Sequence, residues 1–82
     1  MEFLAISKEI PKSKVKSLGF LTNLKIRFDN RQNWYEIRGT KIEIKKYSKL
    51  INEFLNIYDT EILNQWNEKD NYQSSVYTEI VK

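Results

Sequence analysis

Trp34 stands in a stretch that surrounds it with charge. Read as strands joined by turns, residues 25–45 put Lys25, Arg27, Trp34, Glu36, Arg38, Lys41, Glu43 and Lys45 on one wet face, and five of these eight are basic. The chemistry such a set can do is recognition. Lys and Arg neutralise phosphates while an indole stacks on a base. Alternatively, Trp34 and Arg38 anchor in an acidic or mixed groove of another protein. A Trp in this setting is either packed beneath the N-terminal segment or offered to a partner. Glu36 and Glu43, set inside the patch, weigh against a purely nucleic-acid surface. A second basic set, Lys12, Lys14 and Lys16 in SKEIPKSKVK, reads either as a solvated linker or as a loop that touches phosphate or an acidic protein.

Bond-making chemistry has little to work with. The chain has no Cys and no His, which removes thiolate nucleophiles, disulfides, the commonest general base and the commonest metal ligand. There is no GxGxxG, no GxxxxGK and no GxSxG, and Asp29, Asp59 and Asp70 are too scattered for a metal cage. The expectation is a protein that is not an enzyme, with no catalytic residue, no metal and no cofactor.

These residues need elements to hold them. Eighty-two residues make one domain with one modest core. Fourteen Lys and Arg against eleven Asp and Glu give a net charge of +3, which permits an anionic partner without demanding one. No run approaches the ~20 apolar residues that span a bilayer, so no membrane partner and a cytoplasmic location are expected.

The clearest element is the stripe Tyr47, Leu50, Ile51, Phe54, Leu55 and Tyr58, spaced by threes and fours as on one helix face. Ser48 is its expected N-cap. Beyond Tyr58 the pattern drifts. Either one helix runs on to about residue 69, or Asp59-Thr60 breaks it and caps a second short helix.

Ahead of it, Phe20, Thr22, Leu24, Ile26 and Phe28 alternate with polar neighbours, predicting a strand over 20–28. Asp29-Asn30-Arg31-Gln32 supplies a turn. A second strand follows over 33–38. A third over 41–46 is reached through a hairpin with Gly39 at positive φ, or through a bulge there. The inner face then carries Phe20, Leu24, Ile26, Phe28, Tyr35, Ile37, Ile42 and Ile44. Residues 1–10 form an ordered edge element, helix or strand, ended by Pro11. In the tail, Val76, Tyr77, Ile80 and Val81 suggest a strand or a turn of helix docked on the core. The fold class expected is α+β: a three-stranded antiparallel meander with one face covered by a helix, flanked by both terminal segments.

The stretch LKIRFDNRQNWYEI, residues 24–37, with the helical sequence after it, resembles small phage anti-CRISPR proteins that inhibit the RNA-guided nuclease of type II-A systems. Ile26, Arg27, Asn30, Tyr35 and Ile37 carry the likeness, then the helix of residues 48–54. Well-known members of that group are acidic and imitate DNA, whereas this chain is basic, so the mimicry does not transfer. The resemblance implies a small phage-type inhibitor that covers a surface of a host effector protein or ribonucleoprotein in the host cytoplasm. A segment, three antiparallel strands and a helix is also similar to the layout of double-stranded RNA-binding domains, with Lys45, Lys46 and Lys49 near the helix start. A nucleic-acid-binding regulatory module is therefore the alternative, and a homodimeric interaction protein the third reading. Either a monomer or a homodimer is compatible with the sequence.

Overall fold

The structure, a computed structural model, describes residues 1–67. Six elements follow in order: β1 (Glu2–Ser7), α1 (Lys12–Thr22), β2 (Lys25–Asp29), β3 (Trp34–Gly39), α2 (Lys41–Ile57) and β4 (Asn64–Asn67). The strands form one open sheet in the order β2-β3-β1-β4, with every neighbouring pair antiparallel. The architecture is α+β, as the sequence led us to expect. Its layout is the split β-α-β arrangement of ferredoxin-like folds, in which β1 and β2 flank β3, and β3 and β4 flank β1.

The N-terminal segment is a strand and lies at the centre of the sheet rather than its edge. Its neighbours pair both edges, the helices cover Leu4 and Ile6 on one face, and Trp34 and Trp66 close over Phe3 and Ala5 on the other, so all four residues are buried. That is why its sequence shows an unbroken apolar run with no alternation.

One expected strand is shortened by a helix and another is replaced by one. The strand predicted over 20–28 begins only at Lys25. The residues before it belong to α1, whose buried Val15, Leu18 and Thr22 recur at steps of three and four. Pro11 opens this helix, its carbonyl accepting from the Lys14 and Val15 amides. Asn23 closes it in the left-handed conformation at φ 58°. The Thr22 hydroxyl donates to the Leu18 carbonyl at 2.8 Å and accepts from the Leu24 amide at 3.3 Å, bridging helix to strand. Phe20, assigned to the inner face, is 89% exposed.

The strand predicted over 41–46 is the start of α2. Thr40, and not Ser48, caps it. The Thr40 hydroxyl accepts from the Glu43 amide at 3.1 Å, and Glu43 Oε1 accepts from the Thr40 amide at 2.9 Å. The Thr40 amide first, and the nearby Thr40 hydroxyl second, hold the Glu43 carboxyl below its ordinary value. Ser48 lies inside the helix and donates back to the Lys45 carbonyl. Ile42 is 80% exposed, whereas Ile44 joins the core. Gly39 therefore makes no hairpin and has no positive φ. It ends β3, where a Cβ would lie 2.6 Å from Leu24 Cδ2, so a side chain there would have to push that buried leucine aside.

The helical stripe packs much as expected, through Ile44, Tyr47, Ile51, Phe54, Leu55 and Tyr58, while Leu50 is exposed. Asp59, at φ 56°, ends the run. Instead of a second helix, residues 60–63 lead into β4. The core lies between the helices and one sheet face, with Leu4, Ile6 and Ile37 from the sheet against Val15, Leu18, Ile44, Ile51 and Leu55. The tail with Val76, Tyr77, Ile80 and Val81 lies outside the described residues.

Candidate functional site

Strand register sorts the sheet into two faces. Arg27 pairs with Glu36, Lys25 with Arg38, Phe3 with both Arg38 and Trp66, and Ala5 with both Glu36 and Asn64. Lys25, Arg27, Trp34, Glu36 and Arg38 therefore do share the face away from the helices, with Phe3, Ala5 and Trp66 beside them. Lys41 and Lys45 do not join them, because residues 41–46 are helical and their side chains leave from α2. Lys46 and Lys49 likewise lie within α2 and not at its start.

The two tryptophans on this face meet each other. Trp34 stands on β3 and Trp66 on β4, two strands apart, yet their ring centroids are 6.1 Å apart. They lean together over β1, and the small Ala5 between them, 0% exposed, leaves the room. Phe3 stacks on Trp66 at 5.5 Å with 7° between the planes. Both indole N–H groups are buried with no hydrogen-bond partner among the described residues. Trp34 is thus half-buried against Trp66 rather than projecting alone. Trp66 and Phe3 are not among the expected site residues: the segment holding Trp66 reads as helix, and the apolar run around Phe3 has no alternation to say which face it takes.

Glu36 is only 7% exposed, and Arg27 Nε donates to its Oε1 at 3.3 Å. A directly opposed pair of this kind contributes roughly 0.2–1 kcal/mol to strand pairing. It also leaves Lys25 and Arg38 as the cations of this face that no carboxylate of the described residues engages.

A concavity that the sequence did not suggest lies on the other side of β2, under α1. It encloses about 460 Å³. Val15 and Gly19 from α1, with Leu24, Ile26, Phe28 and Tyr35, make its floor, and Lys12, Lys16 and Arg27 its rim. Phe28, 41% exposed, meets the Tyr35 ring edge-on at 5.2 Å. The residues assigned to a basic loop are thus helical: Lys12 and Lys16, one turn apart, border this groove, while Lys14 is exposed elsewhere on α1. The sequence signal for the groove was present in Gly19, a residue without a side chain midway along a helix. Arg27 also borders two further hollows, a smaller one with Lys25 and Arg38 and one of similar size along the turn with Asn30 and Arg31.

Among the described residues no group of His, Cys, Asp or Glu is placed to hold a metal ion. Nor is any described helix long and apolar enough to cross a membrane. What the arrangement offers is an apolar cleft with a cationic rim at one sheet edge, and an aromatic cluster with flanking cations on the open face. No protein-family model matches this chain, and no curated protein or solved structure matches it.

Proposed function

We propose that this chain is a small, non-enzymatic binding protein that acts by direct contact with another protein, and that the β2 flank is its contact surface. The observation that carries the reading is the groove under α1. Its floor is apolar, its rim holds Lys12, Lys16 and Arg27, and no carboxylate lines it. Apolar area surrounded by one sign of charge gives a partner both a driving force and a register. The target class is the one the resemblance implies, a host defence nucleoprotein blocked by covering its surface.

A second reading draws on the other face. Phe3, Trp34 and Trp66 gather on a four-stranded sheet with Lys25 and Arg38 alongside, which is how single-stranded nucleic acid is stacked and neutralised. The sealed indole N–H groups and the buried Glu36 favour the protein-contact reading over this one.

One experiment separates them. Tagged protein is mixed with a purified RNA-guided defence nuclease and its guide, with and without ribonuclease, and washed at about 0.5 M salt, where phosphate contacts weaken steeply. A complex that survives both treatments and is lost in the Lys12→Glu/Lys16→Glu variant supports the protein-contact reading. Recovery of nucleic acid alone, abolished by salt, would sink it in favour of the sheet face.

A further inference from the structure

β2 is an edge strand, and among the described residues nothing pairs with its outer side. Half of its backbone N–H and C=O groups therefore point where another strand could take them. Its side chains alternate: Ile26 and Phe28 turn toward the groove under α1, Lys25 and Arg27 toward the open face. Directly above the groove, Gly19 leaves α1 without a side chain. A Cβ there would sit 3.5 Å from Ile26 Cδ1, in ordinary contact, so anything larger would begin to fill the space.

We infer that an acidic, extended peptide segment of the partner protein adds to β2 as a further strand. Its alternate apolar side chains lie over Ile26 and Phe28 toward Gly19, and its alternate carboxylates stand beside Lys25 and Arg27. This rests on the protein-contact reading of the same flank. Strand addition uses main-chain hydrogen bonds for affinity and alternate side-chain pockets for selection, and both are laid out here on one five-residue strand. Charge decides the chemistry of the occupant. Lys25, Lys12 and Lys16 border the path with no described carboxylate engaging them, while Arg27 is shared with Glu36. A lysine on an exposed edge repels a second copy of the same edge. An acidic strand turns that repulsion into attraction.

The test uses the full chain and a synthetic peptide of about six residues alternating Glu with Val, blocked at both ends. Binding is read from amide shifts over Lys25–Asp29 and from slowed hydrogen exchange on alternate β2 amides. Two further peptides carry N-methyl groups, one on every Glu and the other on every Val. A strand added to an edge points only one of these sets of amides at β2, so one methylated peptide should lose at least ~10-fold in affinity and the other should keep it. Replacing Glu by Lys in the peptide should also cost at least ~10-fold, and Lys25→Glu in the protein should recover part of that loss. Gly19→Leu should block binding while Gly19→Ala, the control for folding, retains it.

Equal binding of both methylated peptides would overturn strand addition and leave the groove as a site for side chains only. Absence of peptide binding, with the nuclease complex still lost in Lys12→Glu/Lys16→Glu, would overturn this inference and leave the protein-contact reading standing. Absence of both effects would overturn both.

Discussion

Thr40→Ala tests the position at which the longer helix begins. In the structure the Thr40 side chain satisfies the Glu43 amide, and the Glu43 carboxylate satisfies the Thr40 amide, so two donors that no helical carbonyl can reach are paired. Thr40 is exposed, so water replaces part of what the substitution removes, and a loss of about 1 kcal/mol is expected. With a urea slope of about 1 kcal/mol/M for a chain of this size, the midpoint should fall by about 1 M at unchanged slope. The melting temperature should drop by about 4–8 °C. The matched control is Ser48→Ala. Ser48 bonds back to the Lys45 carbonyl from within the helix, so alanine there should leave stability unchanged or slightly raised. If Ser48→Ala cost about 1 kcal/mol and Thr40→Ala nothing, the helix would begin at residue 48 and the reasoning about residues 41–46 would fail.

Three further outcomes follow from the same contacts. The Glu43 carboxyl is held below its ordinary range in the folded chain by Thr40, so its contribution is present above its unfolded pKa and lost as pH falls through the lower folded one; Glu43→Gln should flatten acid unfolding in that window, and an unchanged pH profile would remove the box from the account. Gly19→Ala should raise the urea midpoint by the equivalent of ~0.5–1 kcal/mol, since its Cβ meets only ordinary contacts and helical alanine is favoured over glycine. Trp66→Ala removes the stack on Phe3 and the contact with Trp34 and should cost about 2 kcal/mol, less than for a fully buried Trp. Faster exchange of the Leu63 amide, which donates to Ala5 beside β4, would localise the damage, and protection unchanged there would refute the anchoring role of Trp66.

Where a side-chain pattern and a local backbone device agreed, the fold was legible. The stripe from Tyr47 to Tyr58, the Asp29 turn whose carboxylate accepts from the Arg31 and Gln32 amides, and the strand from Trp34 all lie where the pattern put them. The errors came from alternation that crossed an element boundary. Phe20 and Thr22 are in a helix while Ile26 and Phe28 are in a strand, and their even numbering is coincidence across the turn at Asn23. At 41–46 a better signal was present. Thr40 followed by Glu43 is the pattern of a capping box, and it outweighs Ile42 and Ile44, of which one is exposed. Five expected site residues, Lys25, Arg27, Trp34, Glu36 and Arg38, share a face because they lie on strands that were correctly placed. Lys41 and Lys45 left it with the strand that became a helix. Trp66 was hidden because β4 has only four residues, too few to carry a period of their own.

The division of work between the two sides of the sheet bears on what the chain can bind. Without the described helices above it, the open face has to cover its own apolar centre. Phe3, Trp34 and Trp66 do this over Ala5, and in doing so they tie the short β4 to β1 and β3. Aromatic rings engaged with each other in that way are poorly placed to accept a base without first coming apart, at a cost of roughly 0.5–1.5 kcal/mol for each ring pair broken. The β2 flank carries no such obligation. Its aromatic pair, Phe28 and Tyr35, already meets edge-on beside an open cleft, its backbone edge is unpaired among the described residues, and its cations stand along the rim. A partner that docks there need part no aromatic contact, and competes at most with the solvent-exposed Arg27 for its Glu36 bond, which is the physical reason for placing recognition at β2 rather than at Trp34.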